Sequence, residues 1–238
     1  MENSEENFSS LDVVKKTFSF VWSSKNKIYP QLILIIISSY GGFFIIESSY
    51  STLVNICLYL IISIVTVNVM IDSMRMVYFG IDKFTKKFPI VLGKREIKFF
   101  LIWVLFNFPN AINNRIRDFI DLMENPNIII LFLPIIISLI SVYLGIRLIL
   151  ISPLISLDFD EVFKKSWMLT QNSKFNIIKS SFLFVIILVL PIWIIIIIET
   201  ILNIRFFILP TIIGINFILG SVFLTVLFMD IEKLNKES

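Results

Sequence analysis

Histidine is missing from these 238 residues, and cysteine and alanine occur once each, at Cys57 and Ala111. Without histidine there is no imidazole for general acid–base work, no Ser-His-Asp triad, and none of the commonest metal ligand. A lone cysteine excludes an intrachain disulfide or a thiolate zinc site, and Cys57, inside an apolar run, reads as a small core residue. Scarce alanine beside abundant Ile, Phe, Asn and Lys has the character of AT-rich coding, so no single Ile or Asn carries much weight. No catalytic, cofactor-binding or metal-binding set is assigned, and the chain is expected not to be an enzyme.

What is there is apolar: 57% of residues are hydrophobic and the mean hydropathy is +0.89, outside the range of soluble domains. A helix needs about 20 apolar residues to cross a hydrocarbon core. Six uncharged runs approach or pass that mark, at 28–46, 48–71, 99–114, 125–146, 180–198 and 206–229. They are too continuously apolar for barrel strands, and backbone in lipid must bond internally, so helices are expected. The third run holds Asn107, Pro109, Asn110, Asn113 and Asn114 near its end and is expected to span short, kinked or incompletely. From 125 to 157 a single charge, Arg147, interrupts the apolar sequence, so the chain is expected to turn along the membrane interface after it.

Of the 21 Lys and Arg residues, 17 fall in segments that share one side if the N-terminus is cytoplasmic. Only Arg115, Arg117 and Arg205 lie in the opposite turns, and Arg147 sits at the inner end of the fourth run. The net charge of +3 is therefore better explained by topology than by nucleic acid, which is not an expected partner. The acidic start, with Glu2, Glu5, Glu6 and Asp12, leads to no cleavable signal being expected.

The expected fold is all-α: a single polytopic membrane domain, 1–238, of about six transmembrane helices with interfacial amphipathic helices. It divides into a cytoplasmic amphipathic segment (1–27), hairpin one (28–71), a basic cytoplasmic loop (72–98), hairpin two (99–157), a cytoplasmic amphipathic helix (158–179), hairpin three (180–229) and a cytoplasmic tail (230–238). Aligning 13–28 with 162–177 pairs identical residues at Val13/Val162, Lys15/Lys164, Lys16/Lys165, Ser24/Ser173, Lys25/Lys174 and Ile28/Ile177. Leu11, Val14, Phe18, Val21 and Trp22 form a helical apolar stripe, as do Phe159, Val162, Phe163 and Trp167, each opposed by lysines suited to anionic lipid. The middle loop, with Phe84, Lys86, Lys87 and Phe88, is a looser counterpart without a convincing register.

One stretch, 143–190, reads YLGIRLILISPLISLDFDEVFKKSWMLTQNSKFNIIKSSFLFVIILVL. It has Arg147 late in an apolar helix, Pro153 a few residues on, an acidic turn at 158–161, then Ser166, Trp167, Leu169 and Thr170 before another span. This order resembles the signature of YciC-like bacterial inner-membrane proteins, related to the membrane domain found beside glycerophosphoryl diester phosphodiesterases. Gln171 and Asn172 depart from the family's glycine after the Leu-Thr pair. The resemblance implies a multi-span bacterial inner-membrane protein without established chemistry, since the phosphodiesterase activity belongs to a separate domain.

Arg147, Pro153, Ser166, Trp167, Lys164 and Lys165 are the candidate lipid-headgroup or structural residues. A charge deep in lipid is costly and needs a partner, so Arg147 is expected to snorkel or to pair with Asp158, Asp160 or Glu161, with headgroup recognition as the alternative. Trp167 reads as an interfacial anchor, and the asparagines of the third run as the end of a short helix rather than a polar path. Asp72, Asp82 and Glu96 read as carboxylates of a solvated loop. A non-catalytic scaffold or lipid-contacting protein is the leading reading, with membrane lipids as partners and any protein partner unspecified. A small transporter or channel is the alternative, and a headgroup enzyme would need a nucleophile and base that are not found.

Overall fold

The computed structural model describes residues 8–47, 52–83, 90–121, 123, 128–171, 173–202 and 208–237. Among them the secondary structure is entirely helical: α1 (Ser10–Ser23), α2 (Lys25–Glu47), α3 (Thr52–Phe79), α4 (Lys94–Asp121), α5 (Ile128–Leu148), α6 (Ile151–Ser156), α7 (Val162–Leu169), α8 (Lys174–Leu202) and α9 (Ile208–Glu237). Local chemistry starts α1: the Ser9 hydroxyl accepts from the Asp12 N–H, and Asp12 adds a favourable negative charge to the first turn.

Among the described residues, three helical stretches are long and apolar enough to cross a membrane: Leu53–Phe79, Lys174–Ile194 and Pro210–Lys236. Phe132–Leu148 is a shorter apolar helix. Ile33, Ile37, Leu139, Val142, Phe182 and Trp193 are each more than half exposed. Water would penalise that much open apolar surface, whereas lipid tails do not. Spans and surface together are those of a membrane protein.

The Pro210–Lys236 stretch is 56% buried in its most apolar window, against 22% and 17% for the other two, so α9 is the central helix. Its residues Ile218, Val222, Phe223, Leu227, Phe228 and Ile231 anchor the larger core, joined by Val13 and Val14 of α1, Ile35 of α2, Met76 of α3 and Phe184 of α8. The Phe184 and Phe223 rings stack 4.1 Å apart. Where α2 crosses α9, a Cβ on Gly214 would come within 3.3 Å of the Ile36 Cα, and the Tyr40 and Thr211 hydroxyls meet at 3.1 Å nearby. A small residue there lets two backbones approach, the usual basis of helix packing in lipid.

A second, smaller core gathers Val67, Ile71 and Met74 of α3 with Phe99 of α4. The short helix α6 serves both: Leu150 and Leu154 face the α9 core, while Ile151 and Ile155 face the α3–α4 core.

Three expectations change. The chain does turn after Arg147, but the turn is buried in the protein: Ile151, Pro153, Leu154, Ile155 and Ser156 are all buried, because the ten uncharged residues between Arg147 and Asp158 can plug a bundle as readily as lie on it. The helix of the third run does not end at the asparagines, since α4 continues past them to Asp121, although α4 is not among the stretches apolar enough to cross a membrane; buried Asn113 bonds the Ser138 hydroxyl of α5 at 3.0 Å. Finally, α1 packs through Ser10, Val13, Val14 and Thr17, leaving Leu11, Phe18 and Trp22 exposed.

Leu154→Ala should lower unfolding stability in detergent by roughly 2–5 kcal/mol, because it opens a cavity against α9. Ile33→Ala, on the exposed surface, should change it by only about 0.5 kcal/mol. Denaturant unfolding followed by helical circular dichroism measures both, and equal effects would contradict the interior placement of α6.

Candidate functional site

Arg147, Ser166, Trp167 and Thr170 meet at one junction. Arg147 lies in the last turn of α5, where backbone carbonyls lack helical partners. Its carbonyl accepts from two hydroxyls of the α7 segment, Ser166 Oγ at 3.0 Å and Thr170 Oγ1 at 3.2 Å. The guanidinium carbon sits 4.2 Å from the centre of the Trp167 ring, and Nη1 reaches the Trp167 carbonyl at 3.4 Å. Tyr143, one turn earlier, meets the same indole edge-on at 6.3 Å. Ser166 and Thr170 are fully buried and Arg147 is 5% exposed, so the junction is closed.

The expected carboxylate pairing of Arg147 is not made. Asp158 instead receives Arg75 Nη1 at 3.0 Å and Arg95 Nη1 at 2.9 Å, and Glu161 receives Lys164 at 3.0 Å. Arg147 Nε is buried with no partner among the described residues. The indole face takes the place of an acid, an interaction worth about 0.5–2 kcal/mol depending on desolvation. Of the other candidates, Pro153 is buried in α6, Lys164 is exposed, and Lys165 Nζ lies 3.5 Å from the Phe159 ring centre.

Beside this junction a cleft of about 440 Å³ opens between the start of α4 and the α6–α7 loop. Lys94, Arg95 and Lys98 form one wall, and Asp158, Asp160 and Glu161 the other. Between them lie Leu101, Ile155, Val162 and Phe163. The α4 wall is held by a clasp in which Asn68 of α3 donates to the Val91 carbonyl and accepts from the Val91 N–H, each at 2.9 Å. The Glu96 carboxylate caps the Gly93 N–H at 3.0 Å, an approach that a Cβ on Gly93 would block at 2.8 Å. Across the cleft, Asp158 and Glu161 adopt φ of +60° and +47°, the only non-glycine residues with positive φ among those described. Each such conformation costs on the order of 1–3 kcal/mol and is held by its surroundings.

Sequence reasoning missed this cleft because it counted Lys94, Arg95 and Lys98 only as topological charge. A signal was available. The small residue, Lys and Ile of Ser24-Lys25-Asn26-Lys27-Ile28 recur in Gly93-Lys94-Arg95-Glu96-Ile97 and Ser173-Lys174-Phe175-Asn176-Ile177. In all three the first carbonyl accepts from the Ile N–H, at 3.1, 3.1 and 2.9 Å, at the starts of α2, α4 and α8. The paired positions Thr17/Ser166, Ser24/Ser173 and Ile28/Ile177 are also buried alike.

The carboxylates expected in a solvated loop divide. Asp72 and Glu96 are buried, at 5% and 4% exposure, because α3 extends to Phe79 and α4 begins at Lys94, which narrows the loop. Asp82 is open to solvent, and the Lys27 ammonium, 2.6 Å away, hydrogen-bonds and attracts it, holding its carboxyl below the ordinary range. Among the described residues no three metal-ligating side chains cluster.

Replacing both Ser166 and Thr170 by Ala should cost about 1–3 kcal/mol of unfolding free energy, because the buried Arg147 carbonyl loses both donors. Detergent denaturation measures it, and wild-type stability would contradict the junction. Against known proteins, no family model, no curated protein and no solved structure matches this chain.

Proposed function

We propose that this chain is a six-span, non-catalytic protein of a bacterial inner membrane, with both termini cytoplasmic, that acts as a scaffold contacting lipid at the cytoplasmic leaflet. The observation that carries the reading is the cleft, where exposed lysines stand directly over exposed apolar side chains. Lys94 and Lys98 have no acidic partner among the described residues, and Leu101 and Phe163 below them are 60% and 46% exposed. Cations above an apolar floor suit the boundary between headgroups and acyl chains. The lysine-rich segments favour placing that end in the cytosol.

A transport reading would rest on the cavity of about 240 Å³ among α2, α3, α4 and α9, which includes Ser38, Ser39, Tyr59 and Thr66. The Ser38 and Ser39 hydroxyls, however, are turned onto the Leu34 and Ile35 carbonyls of their own helix. Most of the remaining lining is apolar, so packing rather than a polar path accounts for it.

Phospholipid that binds only the folded chain raises its stability by mass action, by about 2.7 kcal/mol at a hundredfold excess over Kd. Titrating mixed phospholipid micelles into the delipidated protein in detergent should therefore raise its unfolding midpoint by several degrees. An unchanged midpoint with every phospholipid would overturn the lipid-contacting role.

A further inference from the structure

The two charged walls of the cleft do not cancel each other. On α4, Arg95 is engaged by Asp158 and Glu96, whereas the Lys94 and Lys98 ammonium groups, one turn apart, are exposed and have no acidic partner among the described residues. On the loop, Asp158 is held by two guanidinium groups and Glu161 by Lys164. That leaves Asp160, exposed and likewise without a partner among the described residues. Two unmatched cations and one unmatched carboxylate therefore border a single cleft whose middle is apolar.

Each simpler ligand leaves part of this set unsatisfied. An anionic headgroup would meet Asp160 and Glu161, and a plain cation would meet the lysines. A soluble zwitterion would leave Leu101 and Phe163 facing nothing apolar. An amphiphile carrying both charges matches all three features, and the cleft volume lies in the range of ordinary ligand sites.

We infer that the cleft binds the headgroup of a zwitterionic aminophospholipid, its phosphate on Lys94 and Lys98, its primary ammonium on Asp160, and its acyl chains along Leu101 and Phe163. This deepens the proposed lipid contact and rests on it. A primary ammonium can donate hydrogen bonds to a carboxylate and a quaternary choline cannot, so ethanolamine lipid is bound in preference to choline lipid. The Gly93 N–H at the start of α4 is already taken by Glu96, so the phosphate is held by side chains and not by the helix end.

The test is native mass spectrometry of the full chain in detergent with equimolar phosphatidylethanolamine, phosphatidylglycerol and phosphatidylcholine. The wild type should retain phosphatidylethanolamine most. Lys94→Gln with Lys98→Gln should reduce that retention about tenfold, the equivalent of one charge-assisted contact. Asp160→Asn should abolish the preference over phosphatidylcholine while leaving phosphate binding. All three side chains are exposed, so the unfolding midpoint of each variant should match wild type. Equal retention of the three lipids, or retention unchanged by the lysine substitutions, would overturn the headgroup site but leave general lipid contact standing. Retention of no phospholipid would overturn both. Competition by soluble glycerophosphoethanolamine at the same concentration as the lipid would overturn the membrane source and assign a free headgroup instead.

Discussion

The burial of α6 is the constraint on which the rest of the structure depends. Leu154 packs into the larger core and Ile151 and Ile155 into the smaller, so one short helix joins the two. A chain reversal buried in a helical bundle must satisfy its own backbone, since a buried polar group without a partner is costly. Here the Pro153 carbonyl accepts from the Ser156 hydroxyl and the Leu157 N–H, Phe159 N–H reaches the Leu154 carbonyl, and Arg75 takes the Ser156 carbonyl. Having turned in this way, the chain delivers α7 against the end of α5 and Asp158 between Arg75 and Arg95.

Two kinds of charge handling follow from that placement. At the α5–α7 junction the cation is sealed: hydroxyls cap the helix end, an indole covers the guanidinium, and the exposed parts of the assembly are the Trp167 and Tyr143 rings. Burying a cation without an acid is costly, and it persists only where packing fixes the geometry around it. A few residues away, the cleft keeps Lys94, Lys98 and Asp160 open. The loop that carries Asp158, Asp160 and Glu161 thus builds one wall, and Lys94, Arg95 and Lys98 of α4 supply the opposite face.

Much of the fold was legible because its cause is local. Long apolar runs have one outcome in lipid, and the described helices α3, α8 and α9 fall where those runs lie. Less legible was whatever depends on how helices pack. Nothing in the run around Pro153 distinguishes an interfacial turn from a buried plug, and nothing in the spacing of Asp158 from Arg147 says that Arg75 and Arg95 reach it first. Periodicity placed Val14 and Phe18 on one stripe, yet α1 rotates to bury Val13 and Thr17, because packing against α8 and α9 selects the narrower face while lipid accepts the bulkier one. The α4 wall was hidden for a different reason: Gly93 shares no side chain with Ser24 and Ser173, so only the Lys and Ile that follow were there to align.

The central claim is that lysine-bearing helix starts lie on one side of a bilayer and the connecting turns on the other. The direct measurement is cysteine accessibility in intact cells, in a Cys57→Ser background, with Lys164→Cys and Arg115→Cys each introduced singly. A membrane-impermeant maleimide should label the Arg115 position from outside and reach the Lys164 position only after the cells are opened. Labelling of the Lys164 position in unopened cells would contradict the account.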